Sequence, residues 1–221
     1  QAFLSDRSKN AYEKVVEKLL ASPRYGERWR RHWMDVWRYS DPVHQGTGLE
    51  RVDYSATHIW HWRDWIIESL NEDKGYDRMI QEMLAADEIA PSDPQTLRAT
   101  GYLARSWYRF NRNVWMQDIV DYTAAGFLGI TIKCARCHDH KYDPIAQEEY
   151  YRLRAFFEPY DIRADRVPGQ VDVSRDGDGL PRAYDSEPKE PTREAPFLPA
   201  VFAQTYRFIR GDEKNPDSEH P

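Results

Sequence analysis

Apolar residues recur at helical spacing through the first 158 residues, in blocks that open on a plausible cap and close on Gly, Pro or a polar cluster. Ser5 or Asp6 is placed to cap a first helix with Tyr12, Val15, Val16, Leu19 and Leu20 on one face. A second segment starts after Ser22-Pro23 and carries Trp29, Trp33, Val36 and Trp37 at i, i+4, i+7 and i+8. A third follows Ser55 through Trp60, Trp62, Ile66, Ile67 and Leu70. The spacing predicts further helices around 76–86 and 94–103, from about 114 to 128, and from about 146 to 157, where Tyr150, Leu153 and Phe157 share a face. Residues 40–54, with two Gly, one Pro and no period, read as a loop.

Proline divides the chain: five of the 14 fall within residues 1–157 and nine within the last 64. The boundary is placed near Glu158-Pro159. Residues 1–158 read as a mainly α, irregular helical domain. Residues 159–221 read as an extended Pro-rich segment that wraps it, with one strand at AVFAQTYRFIRG (200–211). No internal repeat and no low-complexity tract is found.

Composition changes this picture in two ways. Mean hydropathy is −0.85, a polar value, yet the chain holds 8 Trp, 14 Tyr and 8 Phe, and unfolded segments are poor in aromatics. The core is therefore expected to be aromatic rather than aliphatic. A net charge of −6 disfavours non-specific nucleic-acid binding, which needs a basic footprint. No run approaches the roughly 20 apolar residues of a membrane span. The start, QAFLSDRSKN, lacks the charged-then-apolar layout of a secretory signal, so the chain reads as a processed or excised piece.

The two cysteines fall in one motif, Cys134-Ala135-Arg136-Cys137-His138. This C-x-x-C-H spacing is the attachment signature of c-type haem: two thiols three positions apart can each add to a porphyrin vinyl group, and the adjacent imidazole reaches back to bind iron. His138 is the expected proximal ligand. Three competing readings are an inert disulfide, a thioredoxin-like redox pair and half of a zinc site. The second lacks a βαβ context, and zinc would have to recruit His140 and another distant His.

For the sixth iron position, His140 is too close to His138 to reach the opposite face. His32 is the best candidate, because it projects from the helix face that the Trp stripe is expected to bury; the bland alternative is a core histidine bonded to Asp35. His58 and His61 on the Trp-rich helix, His44 in the loop, tail residue His220, and Met34, about a quarter-turn away, are weaker candidates. Arg136 or Lys141 is placed to neutralise a propionate, and a nearby carboxylate to fix the other nitrogen of His138. The pairs Asp118/Asp121 and Glu148/Glu149 read as solvated faces or caps. No G-x-x-x-x-G-K, G-x-G-x-x-G or G-x-S-x-G is present, so nucleotide binding and α/β-hydrolase chemistry have no foothold.

Four strings, LLASPRYGERWRRHWMDVWRYSD, RDWIIESLNEDKGYDRMIQEMLAAD, FLGITIKCARCHDHKYDPIAQEEYYRLRAFF and TYRFIRGDEKNPDSEHP, together resemble the planctomycete cytochrome-associated domain of the second type, catalogued as a domain of unknown function. The resemblance spans nearly the full length, with 40–54 and 160–195 as its variable parts. It implies an exported, haem-c-bearing module of large bacterial proteins, usually followed by another planctomycete-specific domain, expected after the 159–221 segment, and often preceded by a conventional cytochrome or a sugar-binding module. Residue by residue, Cys134, Cys137 and His138 match the haem motif, and His32, Asp35, Arg38 and Tyr39 match the family's HW-x-D-x-x-RY string. His58 and His61 fall where the family often has other residues.

The resemblance supplies no reaction. The leading expectation is an extracytoplasmic electron-transfer module with one haem c, held by Cys134 and Cys137, ligated by His138 and His32, and served by a redox partner protein or neighbouring cytochrome domain. One alternative is a haem enzyme with an open sixth position, in which His32 and Arg38 act on a bound oxidant. Another is a structural or carbohydrate-binding module whose exposed Trp-rich surface at 58–65 stacks on sugars, with a polysaccharide context and the C-x-x-C as a disulfide.

Overall fold

Glycine sets the approach of the first pair of packed helices. Helix α1 (Ala2–Ser5) and helix α2 (Ala11–Leu20) lead into α3 (Arg24–Val36), which packs on α4 (Trp60–Asn71). A Cβ on Gly26 would stand 2.4 Å from the Ile67 carbonyl oxygen, so only a residue without a side chain lets these backbones meet. The Gly26 N–H donates to Asn71 Oδ1 at 2.8 Å, and Asn71 Nδ2 donates to the Pro23 carbonyl at 3.0 Å. One amide side chain thus ties the start of α3 to the end of α4. The computed structural model describes residues 2–40, 59–106, 112–163, 182–185, 206–217 and 219.

The next helices follow the predicted spacing. Helix α5 (Tyr76–Ile89) is followed by α6 (Pro94–Leu97), a 3-10 turn (Arg98–Thr100) and α7 (Gly101–Ala104). Asp93 caps α6, accepting from the Gln95 N–H at 3.1 Å, with Pro94 at the first helical position where its missing N–H costs nothing. Helix α8 (Arg112–Thr123) runs into a π turn (Ala124–Leu128) that Gly129 closes at φ +67°. A 3-10 turn (Lys133–Arg136) and α9 (Gln147–Ala155) complete the helical body.

The core is aromatic, as the composition implied. Its largest fully buried side chains include Trp37, Trp62, Trp65, Trp115, Tyr102 and Tyr150. Trp33 stacks on Trp37 at 5.0 Å, and Trp62 meets Tyr102 edge-on at 5.8 Å. Two of the buried indoles find partners inside: Trp115 Nε1 donates to the Leu103 carbonyl at 2.8 Å, and Trp65 Nε1 donates to Glu82 Oε2 at 3.1 Å. Glu82, its side chain 4% exposed, also accepts from Lys74 Nζ and Arg78 Nε, each at 2.8 Å. The carboxylate is buried with three donors on its two oxygens, which is what makes a buried charge tolerable.

Three sequence expectations are corrected at the N-terminus. The first helix is not capped by Ser5 or Asp6: α2 begins at Ala11, and Asp6 accepts instead from the Ser8 N–H at 2.8 Å and from Lys14 Nζ at 3.2 Å. Nothing on α2 is buried, and Tyr12, Leu19 and Leu20 are exposed. On α3 the stripe is rotated: Trp37 is buried and Trp33 half-buried, but Trp29 is 46% exposed, and Val36 and His32 are exposed. The physical reason is Gly26. Its contact with α4 turns the 26–30–33–37 row inward, and residues 29, 32 and 36 are carried about a quarter-turn or more away.

The C-terminal part corrects a fourth. Strands β1 (Tyr160–Arg163) and β2 (Arg182–Asp185) pair antiparallel, Tyr160 opposite Asp185 and Arg163 opposite Arg182, and β2 lies against α5 and α7. The strand expected over 200–211 lies partly outside the described residues. Within them it is a single bridge, Phe208 to Pro216, around a 3-10 turn (Ile209–Gly211). Arg210 at φ 55° and Gly211 at φ 73° force the chain to reverse where a strand would continue. Among the described residues no helix is long and apolar enough to cross a membrane.

Candidate functional site

The C-x-x-C-H segment forms a short turn pinned from below. Ile132 and Ala135 are buried in the aromatic core, while Cys134 between them is exposed and Cys137 is half-buried; both thiols are free. The Ala135 N–H donates to the Ile132 carbonyl at 2.8 Å and the Cys137 N–H to the Cys134 carbonyl at 3.2 Å. Helix α9 packs beside the turn. The Arg136 carbonyl accepts from Tyr151 Oη at 2.9 Å and from Gln147 Nε2 at 3.0 Å. The turn is therefore fixed by its backbone, and its thiols are left for chemistry.

His138 is exposed, and its Nδ1 stands 2.7 Å from the Asp139 carbonyl oxygen. A carbonyl only accepts, so in the neutral ring the proton sits on Nδ1 and Nε2 keeps its lone pair. The orienting group is thus a backbone carbonyl and not the carboxylate expected from the sequence. The Asp139 carboxylate instead accepts from the Gln147 N–H at 2.8 Å, at the start of α9. His140 is used differently. Its side chain is 8% exposed, its Nδ1 accepts from the Asp143 N–H at 2.9 Å, and its backbone N–H donates to the Ile145 carbonyl at 2.8 Å. That nitrogen is spent on the 139–145 loop. Among the described residues no group of three or more His, Cys, Asp or Glu is placed to hold a metal ion by itself.

Behind the turn lies a half-buried acidic pair that the sequence reading took for a solvated face. Burial pushes the carboxyls of Asp118 and Asp121 up from the ordinary carboxylate range, Asp121 to about 6. Lys133, a hydrogen bond from Gln117 and Arg136 oppose the shift at Asp121, and the charge of Asp118 adds to it. Asp121 Oδ1 is buried without a hydrogen-bond partner. Arg136 donates to Gln117 Oε1 on α8. Burial also pushes up the Tyr150 and Tyr151 hydroxyls on the facing side of α9. Glu148 and Glu149 are solvated, as expected, and both pair with Arg152.

The Asp121 shift has a sign. A carboxyl whose folded value stands above its ordinary 3.8 holds its proton more tightly in the folded chain. Stability is then full below about 4 and declines as pH rises to about 6, where the ionised form must be buried. Asp121→Asn removes that cost. With solvent screening allowed for, the expected gain is about 1–2 kcal/mol at pH 7 and close to zero at pH 4. Urea midpoints at the two pH values check this, and an equal shift at both would show that ionisation is not the cause.

The remaining expected site residues make contacts of their own. His32 meets its own helix: its ring is 5.3 Å from that of Trp29, and Nε2 is 3.4 Å from Arg28 Nη1. It is not the buried core residue bonded to Asp35 that the stripe implied. Met34, Asp35 and Tyr39 line a polar cavity of about 350 Å³ with Arg28, Arg30 and Arg31. Arg38, at φ 58°, stands 6.0 Å over the Tyr122 ring. Lys141 stands 5.2 Å over the exposed ring of Tyr142. His61 stacks on Trp60 at 3.6 Å. Of the expected sugar-stacking surface, Trp62 and Trp65 are buried, because the same indoles build the core, while Trp60 is exposed. His44, His58 and His220 lie outside the described residues.

Gln147, Tyr151 and Gly211 complete the site and were not singled out by the sequence. A Cβ on Gly211 would stand 2.4 Å from Cys137 Sγ, and Gln147 Nε2 donates to the Phe208 carbonyl at 3.1 Å as well as to Arg136. No local pattern marks the contacts to Phe208 and Gly211, since they join positions 61 and more residues apart.

Residues 1–162 match the model of the PSCyt2 family, described as a protein of unknown function (DUF1549). The match takes in the C-x-x-C-H turn and α9 and ends within β1, so Phe208 and Gly211 fall beyond it. No curated protein and no solved structure matches the chain.

Proposed function

The chain belongs to the PSCyt2 family, and from that premise we propose that it is an extracytoplasmic c-type cytochrome module, carrying one haem on Cys134 and Cys137 with His138 as its axial ligand. The observation that carries this reading is the donor set of one turn: two free thiols three positions apart beside an imidazole whose Nδ1 is committed to a carbonyl and whose Nε2 is the nitrogen left for a metal. Haem, when bound, supplies an iron that gains and loses one electron. Every other contribution belongs to the chain. Ile132 and Ala135 anchor the turn in the core, so the thiols and the imidazole are presented by a fixed backbone. The Asp139 carbonyl keeps the His138 proton on Nδ1. The aromatic core beneath the turn lowers the local dielectric, which favours a site of defined potential. The redox partner is a protein or a neighbouring cytochrome domain.

His32 is the proposed second ligand. One observation favours a second reading, a haem enzyme with an open sixth position: His32 is exposed and, among the described residues, its ring meets Arg28 and Trp29 of its own helix. The visible spectrum of chain produced with haem attachment, recorded reduced and with carbon monoxide, decides between them. Bands unchanged by carbon monoxide, and sensitive to His32→Ala, are expected for electron transfer. Ready carbon monoxide binding by the parent chain turns the assignment to small-molecule chemistry. Absence of haem bands overturns both.

A further inference from the structure

The two thiols of the turn are not equivalent, and the reason lies in the chain beyond the family match. The Cα of Gly211 sits so close to Cys137 that a Cβ there would be 2.4 Å from Sγ and 3.5 Å from the Arg136 carbonyl oxygen. Gly211 has φ 73°, a conformation that glycine adopts without strain. The segment that delivers it is held at several points. Gln147 Nε2 bridges the Arg136 and Phe208 carbonyls at 3.0 and 3.1 Å, and the Phe208 ring meets Tyr151 edge-on at 5.5 Å and lies 5.0 Å under the Arg154 guanidinium. Its own ends are closed by the Ile209 N–H to the Asn215 carbonyl at 3.0 Å and the Asp217 N–H to the Arg207 carbonyl at 2.8 Å. Cys134, two residues into the same turn, is exposed.

We propose that the 208–216 turn is a clasp on Cys137, with Gly211 and Gln147 as its positioning residues, so that Cys134 reacts first and Cys137 only after the clasp lifts. The inequality of the thiols stands on the geometry alone; the order of haem attachment rests on the haem reading. Each thioether forms when S–H adds across a vinyl double bond: sulfur bonds to one carbon and the thiol proton passes to its neighbour, with no oxidant consumed. The first addition at Cys134 tethers the porphyrin beside the clasp, and the second follows its opening.

The test uses the full chain before haem attachment, and iodoacetamide as the probe. Tryptic cleavage after Lys133 and after Arg136 places the cysteines in separate peptides, so each rate is read by mass spectrometry. Cys134 is expected to alkylate at least about tenfold faster than Cys137 in the native chain, and the ratio should collapse in urea. Gly211→Ala should accelerate Cys137 with Cys134 unchanged, because the added Cβ cannot share the space of Sγ. Acceleration of both thiols would mean that this variant had unfolded, and Gln147→Ala, which removes the side-chain bridge and leaves the residues of both turns unchanged, then decides. Equal native rates, a ratio that survives urea, or a slow Cys137 in folded Gly211→Ala and Gln147→Ala chains would each overturn the clasp. Chain captured early in haem attachment should carry a single thioether at Cys134, and a first bond at Cys137 would overturn the order. Unequal alkylation in a chain that never takes up haem would instead sink the haem reading and leave the clasp standing.

Discussion

His138→Ala, in chain produced with haem attachment, is expected to keep its covalently bound porphyrin and to lose the low-spin reduced spectrum, with carbon monoxide then binding readily. The thioethers depend on Cys134 and Cys137, not on the imidazole, so attachment survives. The iron loses the one nitrogen that the turn presents to it, held by the Asp139 carbonyl at 2.7 Å. Removing an outer-shell partner of a metal ligand typically costs about 10–100-fold in affinity or activity, and loss of the ligand itself should exceed that in electron-transfer rate. Because His138 is exposed, folding stability should move by no more than about 0.5 kcal/mol. Unaltered spectra in the variant would show that His138 is not an iron ligand.

Glu82→Ala carries the largest expected loss of stability, about 3 kcal/mol. The side chain is 4% exposed and accepts from Trp65 Nε1, Lys74 Nζ and Arg78 Nε. Truncation leaves a buried indole N–H without its acceptor, which costs on the order of 1–3 kcal/mol. It also removes the counter-charge from Lys74, whose side chain is 22% exposed and stands 5.1 Å over the Trp65 ring. Arg78, 46% exposed, can turn to water and adds little. Glu82→Gln, which keeps an acceptor for Trp65 and gives up the charge, should fall between the two. Urea unfolding measures the parent and both variants, and a loss below about 1 kcal/mol for Glu82→Ala would show that the buried carboxylate does not tie Trp65 of α4 to α5.

What was legible in the sequence depended on how far apart the deciding residues lie. Helices α5, α8 and α9 were read to within a few residues because a 3.6-residue period is a local property. The C-x-x-C-H turn was legible for the same reason: its chemistry is written within five positions. The roll of α3 was not, since Trp29 and Trp33 are equally apolar and only the contact of Gly26 with Ile67 and Asn71 chooses between them. Asp118 and Asp121 looked solvated because charge alone was counted, although Ile119 and Val120 between them are buried and hold that stretch of α8 against the body. The β1–β2 ribbon joins segments with no period of their own, and the clasp on Cys137 joins parts of the chain still further apart. Glu82 had a readable sign: an acidic residue set between Met79 and Met83 on a buried face, with basic residues four and eight positions before it.

The aromatic core has an optical consequence. Trp37, Trp62, Trp65 and Trp115 are sealed from water in the same cluster that receives Ala135 of the C-x-x-C-H turn. Indoles so placed emit at short wavelength, and a porphyrin fixed to that turn is an absorber within reach of them all. On the proposed haem reading the chain would carry its own loading gauge: bright ultraviolet-excited emission from the empty protein, darkened in proportion as haem is taken up, with no label added.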